Sequence, residues 1–207
     1  MKTRKLLIAL VLGMGTATAW AGETEERPLY KDSLAPIESR VEDLLRRMTL
    51  HEKTLQLQNK PVGRIDEIES IFQGQSYGCT HEMGKTAEEC AGIYNELQKY
   101  MLTKTRLGIP ILTAVEGIQG ILQNNSTLFP HSIAQGSTFN PELIERMTDA
   151  AGKEAAAMGI HQVLSPVFDI ARELRWGRVE ETYGEDPFLI SEMGIGFVKG
   201  YQKHQIT

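Results

Sequence analysis

The chain has 207 residues, of which 41% are hydrophobic and 24% charged, and a formal net charge of −5. This is the composition of one soluble globular domain with room for a real core. The acidic balance excludes electrostatic recognition of nucleic acid.

Met1 to Lys5 is basic, Leu6 to Leu12 is apolar, and Ala19-Trp20-Ala21 is a small-residue cleavage site before Gly22. That order predicts a signal peptide over residues 1–21 and a mature domain over 22–207. The apolar run falls short of the roughly 20 residues that span a bilayer, so no membrane attachment is expected after cleavage. Losing Lys2, Arg4 and Lys5 takes the formal charge from −5 to −8. Export to the periplasm or beyond leaves a Cys79–Cys90 disulfide open, since thiols there tend to oxidise. With only His81 nearby, these cysteines supply too few ligands for a tetrahedral metal site.

In the mature chain, Val41, Leu44, Leu45 and Met48 fall on one helical face, and Thr49-Leu50-His51-Glu52 is a capping box that starts a second short helix. Residues 59–85, rich in glycine and polar groups, read as irregular. Thr86 to Glu89 is another capping box, opening a helix with Cys90, Ile93, Leu97 and Met101 on its buried side. Arg106 to Pro110 ends it, and Ile111 to Val115 follows as a buried strand. A second strand is expected over Ile133 to Thr138. Asn140 then caps a helix with Pro141 at its first position, running past Leu143, Met147 and Ala151 to a stop at Gly159. A strand over 161–165, a charged loop, and a helix from Pro187 to about Gln202 with Asp186 as its cap complete the order. The sequons at Asn124-Asn125-Ser126-Thr127 mark an exposed turn. The string GIGFVKG at 194–200 falls in a helix and not at a strand-to-helix turn, which argues against nucleotide binding.

Strand and long helix in strict turn imply parallel βαβ units. In parallel α/β barrels chemistry gathers at the C-terminal strand ends. Glu116 stands directly after one strand. The loop SPVFDIARELRWGRVEETYGEDP, residues 165–187, follows another, so the two should share one face. Within it Arg172, Arg175 and Arg178 offer planar forks of donors suited to carboxylates or vicinal hydroxyls, and none of them acts as an acid or base near neutral pH. The plainer reading of most of these charges is a network of ion pairs that locks the loop. Asp169 and His131 lie near the same face but have equally ordinary roles as an arginine partner and a turn residue.

This loop resembles the signature region of glycoside hydrolase family 3, the retaining exo-acting β-glucosidases and β-xylosidases. The resemblance extends in order through VEDLLRRMTLHEK (41–53), TRLGIPILTAVEGIQG (105–120), LFPHSIAQGSTFNPELI (128–144) and MGIGFVKGYQ (193–202). It implies an α/β fold, specifically the N-terminal half of a (β/α)8 barrel, because such a barrel takes about 250 residues. It assigns Glu116 and Arg178 as substrate-binding residues that grip hydroxyls of the terminal sugar, an acceptor paired with a planar donor. Gln119 stands where many relatives carry His.

Retaining glycosidases need two carboxyl groups about 5 Å apart. The resemblance puts both the nucleophile and the acid/base beyond Thr207, so no catalytic residue is expected within the chain. It also separates Lys203-His204 from the family's later Lys-His pair of sugar ligands. No metal or cofactor is implied, and the implied partner is a β-linked oligosaccharide or glycoside. The expectation is therefore the front part of an exported exo-β-glycosidase; the alternative is an inactive fragment or a non-catalytic sugar-binding module. Half a barrel alone is also expected to expose apolar faces and to be poorly soluble or partly molten.

Overall fold

The structure, a computed structural model, describes residues 28–207. The expected signal peptide lies outside the described residues. Two compact units divide between Arg46 and Arg47. The described part of the first holds a short 3-10 turn, Leu29–Lys31, and most of helix α1, Ile37–Arg47. Asp43 accepts from the Tyr30 backbone N–H at 3.1 Å, and Arg40 Nε donates to the Tyr30 carbonyl at 3.1 Å. The apolar face predicted for α1 is buried only in part: Val41 and Leu45 each remain 45% exposed, Leu44 is half-buried, and Met48, just past the helix, is buried.

In the second unit the capping boxes form as expected. Thr49 caps α2, Leu50–Leu55, and Thr86 caps α4, Ala87–Lys104, each with its reciprocal glutamate. Side-chain oxygens of Asn140 and Asp186 accept the first free N–H groups of α6, Pro141–Ala157, and α7, Pro187–Gln202. Gly159, at φ +78, ends α6 where the left-handed conformation suits a residue without Cβ.

Two expectations are corrected. Residues 59–85 are not irregular throughout: they contain α3, Ile68–Phe72, and strand β1, Cys79–His81. That strand is three residues of mixed polarity, too short for an alternating pattern to show. The strand expected over Ile133 to Thr138 is instead helix α5, Ser132–Gly136. Its buried residues are Ser132, Gln135 and Gly136, while Ile133 is exposed. Burial at i, i+3 and i+4 is helical spacing, and Ile133 suggested a strand only because its apolar side chain drew attention to the wrong face.

Strands β1, β2 (Leu112–Val115) and β3 (Gln162–Val163) pair in parallel, in sequence order, with Ala114 opposite Gln162 and Val115 opposite Val163. Backbone bonds extend the sheet at both margins. Lys60 donates to Cys79, and beyond β3 the Val163 N–H donates to Thr207 at 2.7 Å while Thr207 donates to His161 at 3.0 Å. Strands that follow one another around a sheet without reversal form consecutive staves of an α/β barrel wall, with helices on one side. Gln98 of α4 clamps the entry to β2, bonding both the N–H and the carbonyl of Ile111. The core runs between sheet and helices through Leu97, Met101, Ile111, Val115, Ile144, Ile160 and Met193.

Cys79 is half-buried and Cys90 buried, and both are free thiols. Burial pushes the Cys90 thiol up to about 11.

Candidate sugar-binding site

Glu116 follows β2 directly, on a turn that packing holds from both sides. A Cβ at Gly117 would overlap the Val163 side chain, and the Tyr201 hydroxyl donates to the Gly117 carbonyl at 3.3 Å. Gly120, at φ +103, lies so close to the Thr127 carbonyl that any side chain would strike it. Leu122 N–H closes the turn on the Glu116 carbonyl at 3.0 Å. Gln123 ties this turn to the one after β1, accepting from Lys85 N–H and donating to the Glu82 carbonyl, both at 2.8 Å. The Glu116 side chain, half-buried, makes no hydrogen bond to a described residue.

The charged loop after β3 is anchored by its own end. Thr182 and Tyr183 are fully buried, and Ala171 N–H donates to the Gly184 carbonyl at 3.0 Å. Gly136 of α5 lets the Tyr183 carbonyl approach: a Cβ there would sit 2.6 Å from that oxygen. Just before this anchor, Val179–Glu181 forms a 3-10 turn that starts after Arg178.

The three arginines meet different fates. Arg175 pairs with Glu173 in solvent, at 2.8 and 2.7 Å, and holds that carboxyl down to about 2. Arg172 is exposed and makes no ion pair among the described residues. Arg178 donates Nε to both oxygens of Glu181, at 2.9 and 3.0 Å, and Nη2 to Oε2. Its guanidinium also lies within the electrostatic field of Asp169 and Glu116. The hydrogen bond from Arg178 holds the Glu181 carboxyl below the usual carboxylate range, with a smaller contribution from His131. Glu116 and Arg178, far apart in the chain, are thus near enough for their charges to interact, as are Arg178 with Asp169 and Glu181 with His131, while the direct contact is between Arg178 and Glu181.

Glu181 was not singled out from the sequence, where it stands among Glu180, Glu185 and Asp186. The available signal was its spacing, since side chains at i and i+3 of a 3-10 turn eclipse. Two further polar atoms stand at strand ends on this face. His81 Nε2 and Ser165 Oγ are buried with no hydrogen-bond partner among the described residues. By contrast, Lys203 and His204 serve the fold: Lys203 reaches Glu145 at 2.7 Å, and His204 Nε2 bonds Asp149 at 2.7 Å, clasping α7 to α6.

A planar donor beside free carboxylate acceptors suits neighbouring hydroxyls of a sugar ring. No cluster of three His, Cys, Asp or Glu side chains among the described residues is placed to hold a metal ion.

The profile of the glycosyl hydrolase family 3 N-terminal domain matches residues 49–207. A putative β-xylosidase of Formosa agariphila is 30% identical over 96% of the chain and 28% of its own length. β-Glucosidase C of Emericella nidulans is 32% identical over 84% of the chain and 31% of its own length. Among solved structures, a β-glucosidase from Erythrobacter marinus superposes with TM-score 0.73 at 29% identity, covering 84% of this chain and 24% of that one. The chain therefore spans about a quarter to a third of the length of these relatives.

Proposed function

Because the chain belongs to glycosyl hydrolase family 3, we propose that its strand-end loops form part of the sugar site of an exo-acting retaining β-glycosidase, in which Glu116 and Arg178 bind hydroxyls of the terminal sugar. The observation that supports this reading is that Glu116 follows β2 directly and Arg178 lies on the loop after the neighbouring strand β3, near enough for their charges to interact. The substrate is a β-linked glucoside or xyloside, a reading supported by relatives named β-glucosidase and β-xylosidase and by a Listeria innocua β-glucosidase solved in complex with glucose. A Salmonella typhimurium relative named periplasmic β-glucosidase supports the exported location that the leader pattern suggests.

The task of this chain's own residues is binding and orientation. Glu116 accepts a hydrogen bond from a sugar hydroxyl and Arg178 donates one to a neighbouring oxygen, and these contacts tighten as the ring flattens toward the oxocarbenium-like transition state. The nucleophile and the acid/base belong to other segments of the family's fold. The reaction needs only those two carboxyl groups, so no cofactor enters it.

The test is kcat/KM on aryl β-glucoside and aryl β-xyloside with the full-length natural protein. Glu116→Ala and Arg178→Ala should each cost about 2 to 4 kcal/mol of transition-state stabilisation. Unchanged kcat/KM in both variants would overturn the assignment.

A further inference from the structure

We propose that Glu181 is a positioning residue of this sugar site, aiming Arg178 by a two-point grip while touching no sugar itself. This rests on the reading of Arg178 as a sugar ligand. A guanidinium carries its five N–H groups in one plane. Glu181 takes the edge formed by Nε and Nη2, and Nη1 makes no hydrogen bond to a described residue. The unclaimed donors therefore lie on the opposite edge in a fixed orientation.

The grip is asymmetric in a way that suits positioning. The Glu181 side chain is only 20% exposed and that of Arg178 is 55% exposed. Glu181 also sits on backbone held by the buried Thr182 and Tyr183 and packed against α5. A rigid base thus carries an accessible arm.

Charge gives a second reason for the pair. Glu116 and Asp169 also attract Arg178. Were Glu181 neutral, the long arginine side chain would swing toward those carboxylates, and an Arg178–Glu116 ion pair would occupy both groups meant for hydroxyls. Glu181 satisfies the arginine from behind and leaves Glu116 free to accept.

The experiment is calorimetric titration of glucose into the full-length natural protein and into Arg178→Ala, Glu181→Gln and the double variant, with Tm measured for each. Glu181→Gln keeps the side-chain volume but removes the charge, and it should weaken binding about tenfold. Its Tm should stay within about 2 °C of the parent, as for a half-exposed surface pair. The double variant should bind no more weakly than Arg178→Ala, because Glu181 acts only through that arginine. Normal affinity in Arg178→Ala would overturn the site reading itself. Loss in Arg178→Ala with no loss in Glu181→Gln would overturn the positioning role alone. Fully additive losses would make Glu181 a sugar contact or a general stabiliser, and would overturn it too. If Glu181→Gln does not fold, Glu181→Asp, which keeps the charge but shortens the reach, should show the same non-additivity at smaller amplitude.

Discussion

Glu52 serves two partners at once. Its carboxylate accepts the Thr49 N–H at 2.8 Å to close the α2 capping box, and it grips Arg106 through Nε at 2.8 Å and Nη2 at 2.6 Å. The Arg106 bond is the main cause that lowers this carboxyl from 4.5 to about 2, against the opposing effect of burial. A folded pKa below the unfolded one means stability present above about pH 4.5 and lost as pH falls toward 2. Since Arg106 is half-exposed, the ion pair is worth about 1 kcal/mol. Glu52→Gln should cost about that much at pH 7, and the gap from the parent should shrink on acidification. Chemical denaturation at pH 7 and pH 3 checks this, and a constant gap would refute it. The cap itself was legible as Thr-x-x-Glu because its partners are three residues apart. Arg106 was not, because the contact closes across 54 positions. Glu116 and Arg178 could be nominated as candidates by motif, whereas the Arg178–Glu181 pair was hidden among adjacent acids until the 3-10 turn set the carboxylate beneath the arginine.

At the scale of elements, two of the three glycines of GIGFVKG, Gly196 and Gly200, serve helix packing, while Gly194 makes room for the Phe168 ring. A Cβ at Gly196 would sit 2.5 Å from the Pro141 carbonyl oxygen, and one at Gly200 would overlap Thr148 Oγ1 and lie 2.5 Å from the Glu145 carbonyl oxygen. These positions let α7 lie directly against the backbone of α6. Gly200→Ala gains about 1 kcal/mol of helix propensity. The clash is mostly with backbone, which cannot turn aside, and overpacking costs about 1 to 3 kcal/mol or more. With the backbone contacts at the upper end of that cost, the balance favours net destabilisation by about 1 to 2 kcal/mol. Gly177→Ala, with nothing within 4 Å of its added carbon, is the matched control and should leave Tm unchanged. Equal Tm for both variants would contradict the close-packing account. The helix of GIGFVKG was readable from its caps, Asp186 and Pro187, but its close-packed stripe needed the partner helix. For α5 the failure was one of period, because its buried residues are Ser132, Gln135 and Gly136 and no apolar side chain marks the inward face.

At the scale of the whole molecule, the outer side of α7 and the segment after β3 form an apolar groove of about 500 Å³, lined by Phe168, Ile170, Pro187, Ile190, Ile195 and Val198. Exposed apolar surface of this kind binds hydrophobic dyes and promotes association. The isolated 207-residue polypeptide should therefore enhance the fluorescence of anilinonaphthalene sulfonate, and Ile195→Lys with Val198→Glu should reduce that signal. Fluorescence at the level of a compact reference protein would contradict the prediction. The helix caps and the parallel connection from β2 through α6 to β3 were determined by sequence alone, because each depends on residues within a few positions of one another or on simple alternation along the chain. The tertiary structure alone decided which short polar segments become staves, as with Cys79–His81 and the bonds of Thr207 to β3. It also decided which carboxylate holds which arginine. Hydrogen bonds between distant backbones and the rigidity of a buried anchor beside an exposed arm arise only once the chain has closed on itself, and no local pattern encodes them.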